Sequence, residues 1–365
     1  MARVAIYEAD YESVEEAVER AFDDFAMDLK QKTVLVKPNI IGAVKAERAV
    51  CTHPAVVRAT IRALDRRGAG RVIVGDNSGM RAYGSNEQAA RVAGILEASD
   101  GRYVNLGASP VATPVESKFA DRLAFSKVVL DADLVVSLPK MKTHVATGIT
   151  GAVKNTFGHL VGGEKTGLHR AAVGAENFAQ AVLDVFRVRK PDLSILDGVV
   201  AMEGQGPSGG QLRQVRRIVA SNDAVALDTV MASMMGVEPK RIPMLRLAGE
   251  QGLGPVTLKE IQVDGPFEVV EDFKIPAISP GLGTWLARLG GNLVVAQPRV
   301  RRNKCVKCGS CAMACPVEAI TMTDDGPRIA YKKCISCFCC HEMCRYEAMD
   351  LSRRMRLLQW LKIVP

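Results

Sequence analysis

Two runs of cysteine near the end of the chain have the spacing of iron–sulfur ligands. Residues 305–316 follow the pattern C-x2-C-x2-C-x3-C-P, and residues 334–344 repeat the cysteine spacing. In two-cluster proteins, three cysteines of each run hold one [4Fe–4S] cluster and the fourth reaches the other cluster. The spacing therefore predicts two [4Fe–4S] clusters. The first is assigned to Cys305, Cys308, Cys311 and Cys344, and the second to Cys334, Cys337, Cys340 and Cys315.

Zinc is the alternative metal, because zinc sites also use pairs of cysteines. A tetrahedral zinc site needs four ligands, usually as two separated pairs, whereas here the cysteines form two like runs, so iron–sulfur is favoured. Arg345 stands where the second run would have proline, which removes no ligand. Cys339 is interpreted as a buried thiol rather than an exchanging ligand. Strands at 319–322 and 328–331 are expected to form a hairpin.

The distribution of cysteine indicates the compartment. Nine of the ten cysteines lie in the last part of the 365-residue chain, whereas a disulfide scaffold would spread them through a small domain. The pattern predicts metal binding in a reducing, cytoplasmic compartment. The sequence contains no run of about 18 apolar residues, so no transmembrane segment is predicted. The first residues do not resemble an export signal.

Most of the net positive charge lies in the same segment. The chain has a net charge of +8, and residues 298–365 account for +7 of it. Each cluster with its four thiolates carries about −2, so the basic residues are interpreted as neighbours of anionic clusters or as a docking face. No nucleic-acid partner is predicted.

The elements that must hold a second site come from the larger, cysteine-poor region. Apolar, β-rich stretches at 4–7, 34–37, 72–75, 134–137 and 193–196 alternate with helices expected over 13–25 and 55–67. This order predicts an α/β fold with a largely parallel sheet and flanking helices. The predicted units are an α/β ligand-binding domain (1–255), an irregular adaptor (256–297), a small α+β ferredoxin-like domain (298–351) and a basic amphipathic tail (352–365).

Polar residues follow several of these strands. Ligands of open α/β sheets bind just beyond the carboxyl ends of the strands, so a shared site is expected there. The alternative is ordinary loop chemistry, since Asn, Asp, Gly and Pro also make turns. The predicted ligand-binding residues are Lys37, Asn39, Asp76, Asn77, Ser78, Lys140, Asn155, Gly204 and Gly206.

The densest cationic group suggests an anionic ligand. Lys140, Lys142, His144 and Lys154 lie close in sequence, and residues 147–158 are expected to be a loop entering a short helix. Lysines and helix N-termini both favour a carboxylate or phosphate. The alternative is that these lysines are solvated and that His144 is a satisfied loop histidine. The G-x-G-x-x-G match at 204–209 precedes a predicted strand rather than a helix, which excludes nicotinamide binding and leaves any organic cofactor open.

Five segments together resemble the family called domain of unknown function 362. They are Val34–Asn39, Gly75–Gly79, Leu138–His144, Thr150–Asn155 and Asp197–Gly206. The resemblance covers roughly residues 3–240, and a ferredoxin-type extension is similar to that of many members. It implies an α/β domain fused to an iron–sulfur module and implies no substrate.

Two functions follow as hypotheses. In the first, a reductase takes low-potential electrons from a ferredoxin-like donor, or another electron-transfer partner, and passes them to a small anionic ligand. Reduction also needs protons, and the candidate catalytic residues are His144, Lys142, Lys154 and Glu203. In the second, the protein is a non-catalytic electron carrier or partner-binding protein. Residues 352–365 would then be a docking helix, with packing on the cluster domain or lipid binding as alternatives.

Overall fold

The computed structural model describes residues 1–78, 85–276, 297–344 and 346–351. Arg345 and the tail 352–365 lie outside the described residues, as does the stretch 277–296 of the expected adaptor. Within the described part of the chain, no helix has the length and apolar character needed to cross a membrane.

Strands and helices alternate through the larger region, as the sequence predicts. The strands are β1 (Ala2–Glu8), β2 (Thr33–Pro38), β3 (Arg71–Val74), β4 (Pro110–Pro114), β5 (Arg122–Ser126), β6 (Leu134–Leu138), β7 (Lys140–His144), β8 (Gly148–Thr150), β9 (Leu193–Glu203), β10 (Gln211–Ser221) and β11 (Ile261–Asp264). The helices are α1 (Val14–Asp24), α2 (Pro54–Arg66), α3 (Ser85–Val92), α4 (Ile95–Ala98), α5 (Lys127–Asp131), α6 (Ala152–Asn155), α7 (Glu164–Ala171), α8 (Ala175–Val188), α9 (Ala224–Met234) and α10 (Pro243–Glu250).

The main sheet is mixed and mostly parallel, which confirms the predicted fold class. Its strand order is β11-β1-β10-β9-β6-β2-β3, with β7 paired to β9 and β8 paired to β7. Strands β2, β3, β6 and β9 run parallel, so their carboxyl ends meet at one edge. Strand β10 is antiparallel to both of its neighbours.

The sheet separates two apolar cores because side chains alternate between its faces. On β1, Val4 and Ile6 pack in the core that includes α8, α9 and α10, whereas Ala5 and Tyr7 pack in the core with α1 and α2. These helices therefore cover both faces of the sheet. The edge at which the parallel strands end is contacted by other elements.

The cationic segment that follows the strand predicted at 134–137 is itself a strand. Lys140–His144 forms β7, which pairs in parallel with β9 and lies fully buried. The alternation along β7 explains this, because Met141 points into an apolar core while Lys140, Lys142 and His144 share the opposite face. Burial is tolerated there because the lysines meet acceptors within the protein.

The C-terminal part is a small unit of short strands and single-turn helices. Its elements are β12 (Pro298–Val300), α11 (Ser310–Met313), β13 (Ile320–Thr323), β14 (Gly326–Ile329), α12 (Cys339–Glu342) and β15 (Met349–Leu351). Strands β13 and β14 pair antiparallel, which confirms the expected hairpin. The bounds of the two strands differ by one or two residues from those expected. Strand β11 lies within the expected adaptor but forms the edge of the main sheet beside β1.

Several polar contacts attach this unit to the α/β domain. Nε of Arg170 donates to the carbonyl of Pro316 at 2.9 Å, and the Ser208 hydroxyl donates to the carbonyl of Glu342 at 2.8 Å. Nε2 of His341 lies 2.9 Å from the carbonyl of Gln205. Arg48 also pairs with Glu347. The contacts fix α12 against the carboxyl edge of the sheet.

Gly151 is required where α6 begins, which provides a test of the fold. The Asp228 carboxylate accepts the amides of Ala152 and Val153 at 2.6 and 3.0 Å, and a Cβ on Gly151 would lie 2.1 Å from its Oδ1. We expect Gly151→Ala to lower stability by about 2–4 kcal/mol through overpacking and lost hydrogen bonds. Thermal unfolding against Gly163→Ala, which meets no atom within 4 Å, is the matched measurement. Equal melting temperatures would contradict this packing.

Candidate functional site

A buried polar network joins the ends of β2 and β3. Nζ of Lys37 lies 2.7 Å from Oδ1 of Asp76, and it also donates to Oδ1 of Asn155 at 3.2 Å. The other Asp76 oxygen accepts the amide of Ile40 at 2.7 Å. Lys37 is 1% exposed, and burial lowers its pKa while Asp76 opposes that effect. The pair therefore fixes the two strand ends to each other.

Lys142 extends the network from β7. Its ammonium donates to Oδ1 of Asn39 at 2.6 Å and to the carbonyl of Val50. Asn155 joins the same network, since its amide donates to the Ser137 hydroxyl at 2.9 Å. The structure thus brings together several of the predicted ligand-binding residues. Their polar groups form hydrogen bonds and an ion pair within this network.

Lys140 forms a second buried pair. Its Nζ lies 2.8 Å from Oδ1 of Asp197, and both side chains are fully buried. The hydroxyl of Tyr11 lies 3.1 Å from the same ammonium, and Oδ2 of Asp197 accepts the amide of His53 at 2.9 Å. This pair anchors β7 to β9, so the alternative of solvated lysines is wrong for Lys140 and Lys142.

Lys142 differs from the other two lysines because it has no carboxylate partner among the described residues. Burial lowers its pKa from 10.5 to about 7, since only neutral acceptors contact its ammonium. It is therefore a buried base that titrates near neutral pH, which is the range useful for proton transfer.

A second group of polar residues lies between the two domains. His144 from β7, Lys154 from α6 and His169 from α7 approach α12 of the C-terminal unit. Nε2 of His144 lies 2.8 Å from Oε1 of Glu342. The Sγ atoms of Cys337 and Cys339 lie within 4.8 Å of a ring nitrogen of His169. This interface cluster places the second cysteine run against the carboxyl edge of the sheet.

His144 is held in one tautomer. Its Nδ1 accepts the amide of Ala146 at 3.1 Å, so the ring proton is on Nε2, which faces Glu342. Burial lowers the pKa of His144 to about 4, and the ring is therefore neutral at pH 7. The contact with Glu342 lacks the alignment of a hydrogen bond, and neither atom has another hydrogen-bond partner among the described residues.

Lys154 contributes an ammonium group to the interface cluster, and this group is not paired with any described residue. It makes no ion pair or hydrogen bond with the described residues and is partly exposed. Its Nζ lies 5.9 and 5.8 Å from the ring centres of Phe157 and Phe178. Burial lowers the pKa of Lys154, while the charge of Glu342 opposes that effect.

The remaining predicted residues lie around these two groups with structural contacts. Asn77 and Ser78 bond to Asn86 beyond β3. Glu203 accepts the amide of Lys274 at 3.3 Å. Gly204 has a φ of +77°, and Gly206 leaves no room for a Cβ beside the carbonyl of Thr143. His169, Glu342 and Asp228 were missed by sequence reasoning, because only the fold brings them beside Lys154 and α6.

The first group of assigned cysteines lines one pocket. Cys305, Cys308, Cys311 and Cys344 face it together with apolar side chains that include Val300, Met322 and Met349. Sγ of Cys344 accepts the amide of Ala348 at 3.2 Å, as cluster-ligating sulfurs commonly do. The donor set fits a [4Fe–4S] cluster.

The second run is joined by Cys315 from the first. Burial raises the pKa of the Cys334 thiol, and the nearby Cys337 and Cys315 thiols raise it further. Sγ of Cys315 accepts the amide of Ala319 at 3.1 Å. Cys339 is 0% exposed, and its thiol donates to Cys337, which lowers the pKa of Cys337.

Comparison with known families matches both parts of this arrangement. Residues 34–233 match the domain of unknown function (DUF362), which covers more than half of the chain. The chain belongs to the DUF362 family. Residues 298–321 match the 4Fe-4S binding domain, so this DUF362 protein is also an iron–sulfur protein.

A named relative has the same family domain. The DUF362 protein is 34% identical over 251 residues to the thylakoid-associated protein sll1697 of Synechocystis sp., covering 67% of this chain and 76% of the relative. Its name describes an association with thylakoids for that protein.

Two solved structures are similar in outline. One is a protein from Thermotoga maritima (TM-score 0.42, 14% identity, covering 67% of this chain). The other is the lactate racemase apoprotein from Thermoanaerobacterium thermosaccharolyticum (TM-score 0.43, 11% identity, covering 65% of this chain). The DUF362 protein spans 60% and 58% of the lengths of these two chains.

The environment of Lys142 predicts an unusual titration. The unfolded lysine has a pKa of 10.5 and the folded one about 7, so the unfolded state binds the extra proton between these values. Stability therefore rises with pH across that window. We expect the Cε resonance of Lys142 in ¹³C-lysine-labelled protein to titrate near pH 7, with Lys142→Met identifying the signal. A midpoint above pH 10 would contradict the proposed burial.

Proposed function

We propose that this DUF362 protein is an iron–sulfur oxidoreductase that reduces a small anionic ligand bound between its two domains, using low-potential electrons from a ferredoxin-like donor. The observation that supports this most directly is Lys154. Its ammonium lies at the interface without an ion-pair partner among the described residues, close to the second cysteine run. An unpaired, partly buried ammonium favours a carboxylate or phosphate over a neutral molecule.

The cysteine geometry supports two clusters. The first would be held by Cys305, Cys308, Cys311 and Cys344, and the second by Cys334, Cys337, Cys340 and Cys315. Bound there, [4Fe–4S] clusters supply single electrons at low potential. The residues fit this role because each run presents several thiols to a shared space and both crossing cysteines accept backbone amides.

The chain's own residues supply binding and protons. Lys154 binds the anion, and His144 holds a proton on Nε2 at the same interface. The carboxylate of Glu342 lies 2.8 Å from that nitrogen, and the amide of Ala146 holds the ring through Nδ1. Lys142 lies two residues before His144 on the same face of β7, where it can hold a second proton near neutral pH. Glu203 is less suited to a catalytic role, because its carboxylate accepts from Lys274.

A carrier without a substrate is the second candidate function. It is favoured by one observation, namely that the polar groups of Lys37, Lys140 and Lys142 are satisfied within the protein. In that case the partly exposed Lys154 would contact a protein partner or solvent rather than a small molecule.

Ligand assignment predicts a specific pattern of iron loss. Anaerobically reconstituted wild-type protein should hold about eight iron and eight sulfide ions. Cys311→Ala and Cys340→Ala should each lower iron by about half, whereas Cys339→Ala and Cys51→Ala, which lies outside both cysteine runs in sequence, should retain it. Iron and sulfide analysis with electron paramagnetic resonance measures the result. Zinc without sulfide, or iron loss in Cys339→Ala comparable to Cys340→Ala, would contradict the assignment.

The role of Lys154 predicts loss of a bound anion. Anaerobic native mass spectrometry of the wild type should show a small molecule beyond the mass of iron and sulfide. Lys154→Met should lose it, since a charge-assisted hydrogen bond contributes about 1.5–3 kcal/mol, or roughly 10–150-fold in affinity. Lys240→Met, at an exposed lysine of the α/β domain, is the control. Equal occupancy in all three proteins would contradict the anion site and leave the carrier function.

A further inference from the structure

The C-terminal unit carries a groove lined by arginines. It lies between β12, the loop after it and β14, and has a volume of about 660 Å³. Arg299, Arg301, Arg302 and Arg328 line it, and Tyr331 lies on its wall. We call this the arginine groove.

The described residues leave most of the groove's positive charge without an ion-pair partner. Arg301 pairs with Asp350 at 2.7 Å. Arg299, Arg302 and Arg328 are exposed, and their guanidinium groups make no ion pair with the described residues. The segments outside the described residues contain no aspartate or glutamate, so none of their side chains can supply the missing partner. The groove therefore presents a net positive field to the outside.

The groove adjoins the first cysteine pocket. Val300 and Pro327 line both the arginine groove and the pocket of Cys305, Cys308, Cys311 and Cys344. A single layer of side chains thus separates the two spaces. On the other wall, the carbonyl of Tyr331 accepts the amide of Cys334 at 3.3 Å. A molecule seated in the groove comes close to both cysteine runs.

We propose that the arginine groove is the docking surface for a small acidic electron-transfer protein. This rests on the proposed redox function and names the kind of donor. Complementary charge steers such partners together and orients them before transfer. In each encounter the partner loses one electron and this protein gains one, and no bond forms or breaks. The concave shape fits a protruding acidic loop of a protein better than the flat surface of a lipid bilayer.

The test uses the full-length protein with its clusters and a small acidic [2Fe–2S] ferredoxin as the probe. Binding is measured by biolayer interferometry at low and high salt. We expect Arg302→Glu with Arg328→Glu to weaken binding about tenfold or more, mainly through slower association. The matched control is Lys240→Glu with Arg241→Glu, which makes the same charge change on the α/β domain. The control should bind within about twofold of wild type.

Several outcomes would overturn the proposal. If ferredoxin binding weakened equally in the two double variants, the loss would be due to overall charge and not to the arginine groove. Unchanged ferredoxin binding in the groove variant would show that the groove is not the docking surface. If the variant instead lost binding to phosphatidylserine vesicles, the groove would be a membrane-binding surface. Reduction by dithionite and anion occupancy at Lys154, measured in the same groove variant, should match wild type. Their loss would point to the redox function itself, and not to docking.

Discussion

Burial of lysine ammonium groups is the constraint on which the carboxyl edge of the sheet depends. Lys37 and Lys140 are each 0–1% exposed and are tolerated because a carboxylate lies within 2.8 Å. Removing one partner of such a pair typically costs about 3–5 kcal/mol, because a charge is left buried and unpaired. The pairs join β2 to β3 and β7 to β9. The positions of Asn155 and Lys154 on α6 follow from that fixed edge.

The interface cluster obeys a different rule. The polar side-chain atoms of the network formed by Lys37, Asn39, Asp76, Lys142 and Asn155 have partners. By contrast, His144, Glu342 and Lys154 at the domain interface keep unfilled hydrogen-bonding capacity. Buried polar groups in native proteins are nearly always satisfied, so a local exception needs an explanation. A ligand that supplies acceptors and donors at this place is the explanation we favour.

Much of this arrangement follows from the sequence. Short β-rich runs separated by helices predict the mostly parallel sheet, and the rule that sites lie beyond strand ends predicts Lys37, Asn39 and Asp76 as neighbours. The sequence does not predict the strand Lys140–His144, because lysine at alternate positions looks solvated until its partners are known. His169 and Glu342 carry no local signal. They become recognisable only when α7 and α12 meet across more than 170 residues of sequence.

Helix α12 spans a single turn, yet it contains both Cys340 and Glu342. The same turn is also held by the Ser208 hydroxyl and lies beside His144. A metal bound at Cys340 would therefore also restrain the Glu342 carboxylate two residues away. Cys340, a proposed ligand of the second cluster, and the carboxylate of the interface cluster therefore share one helical turn.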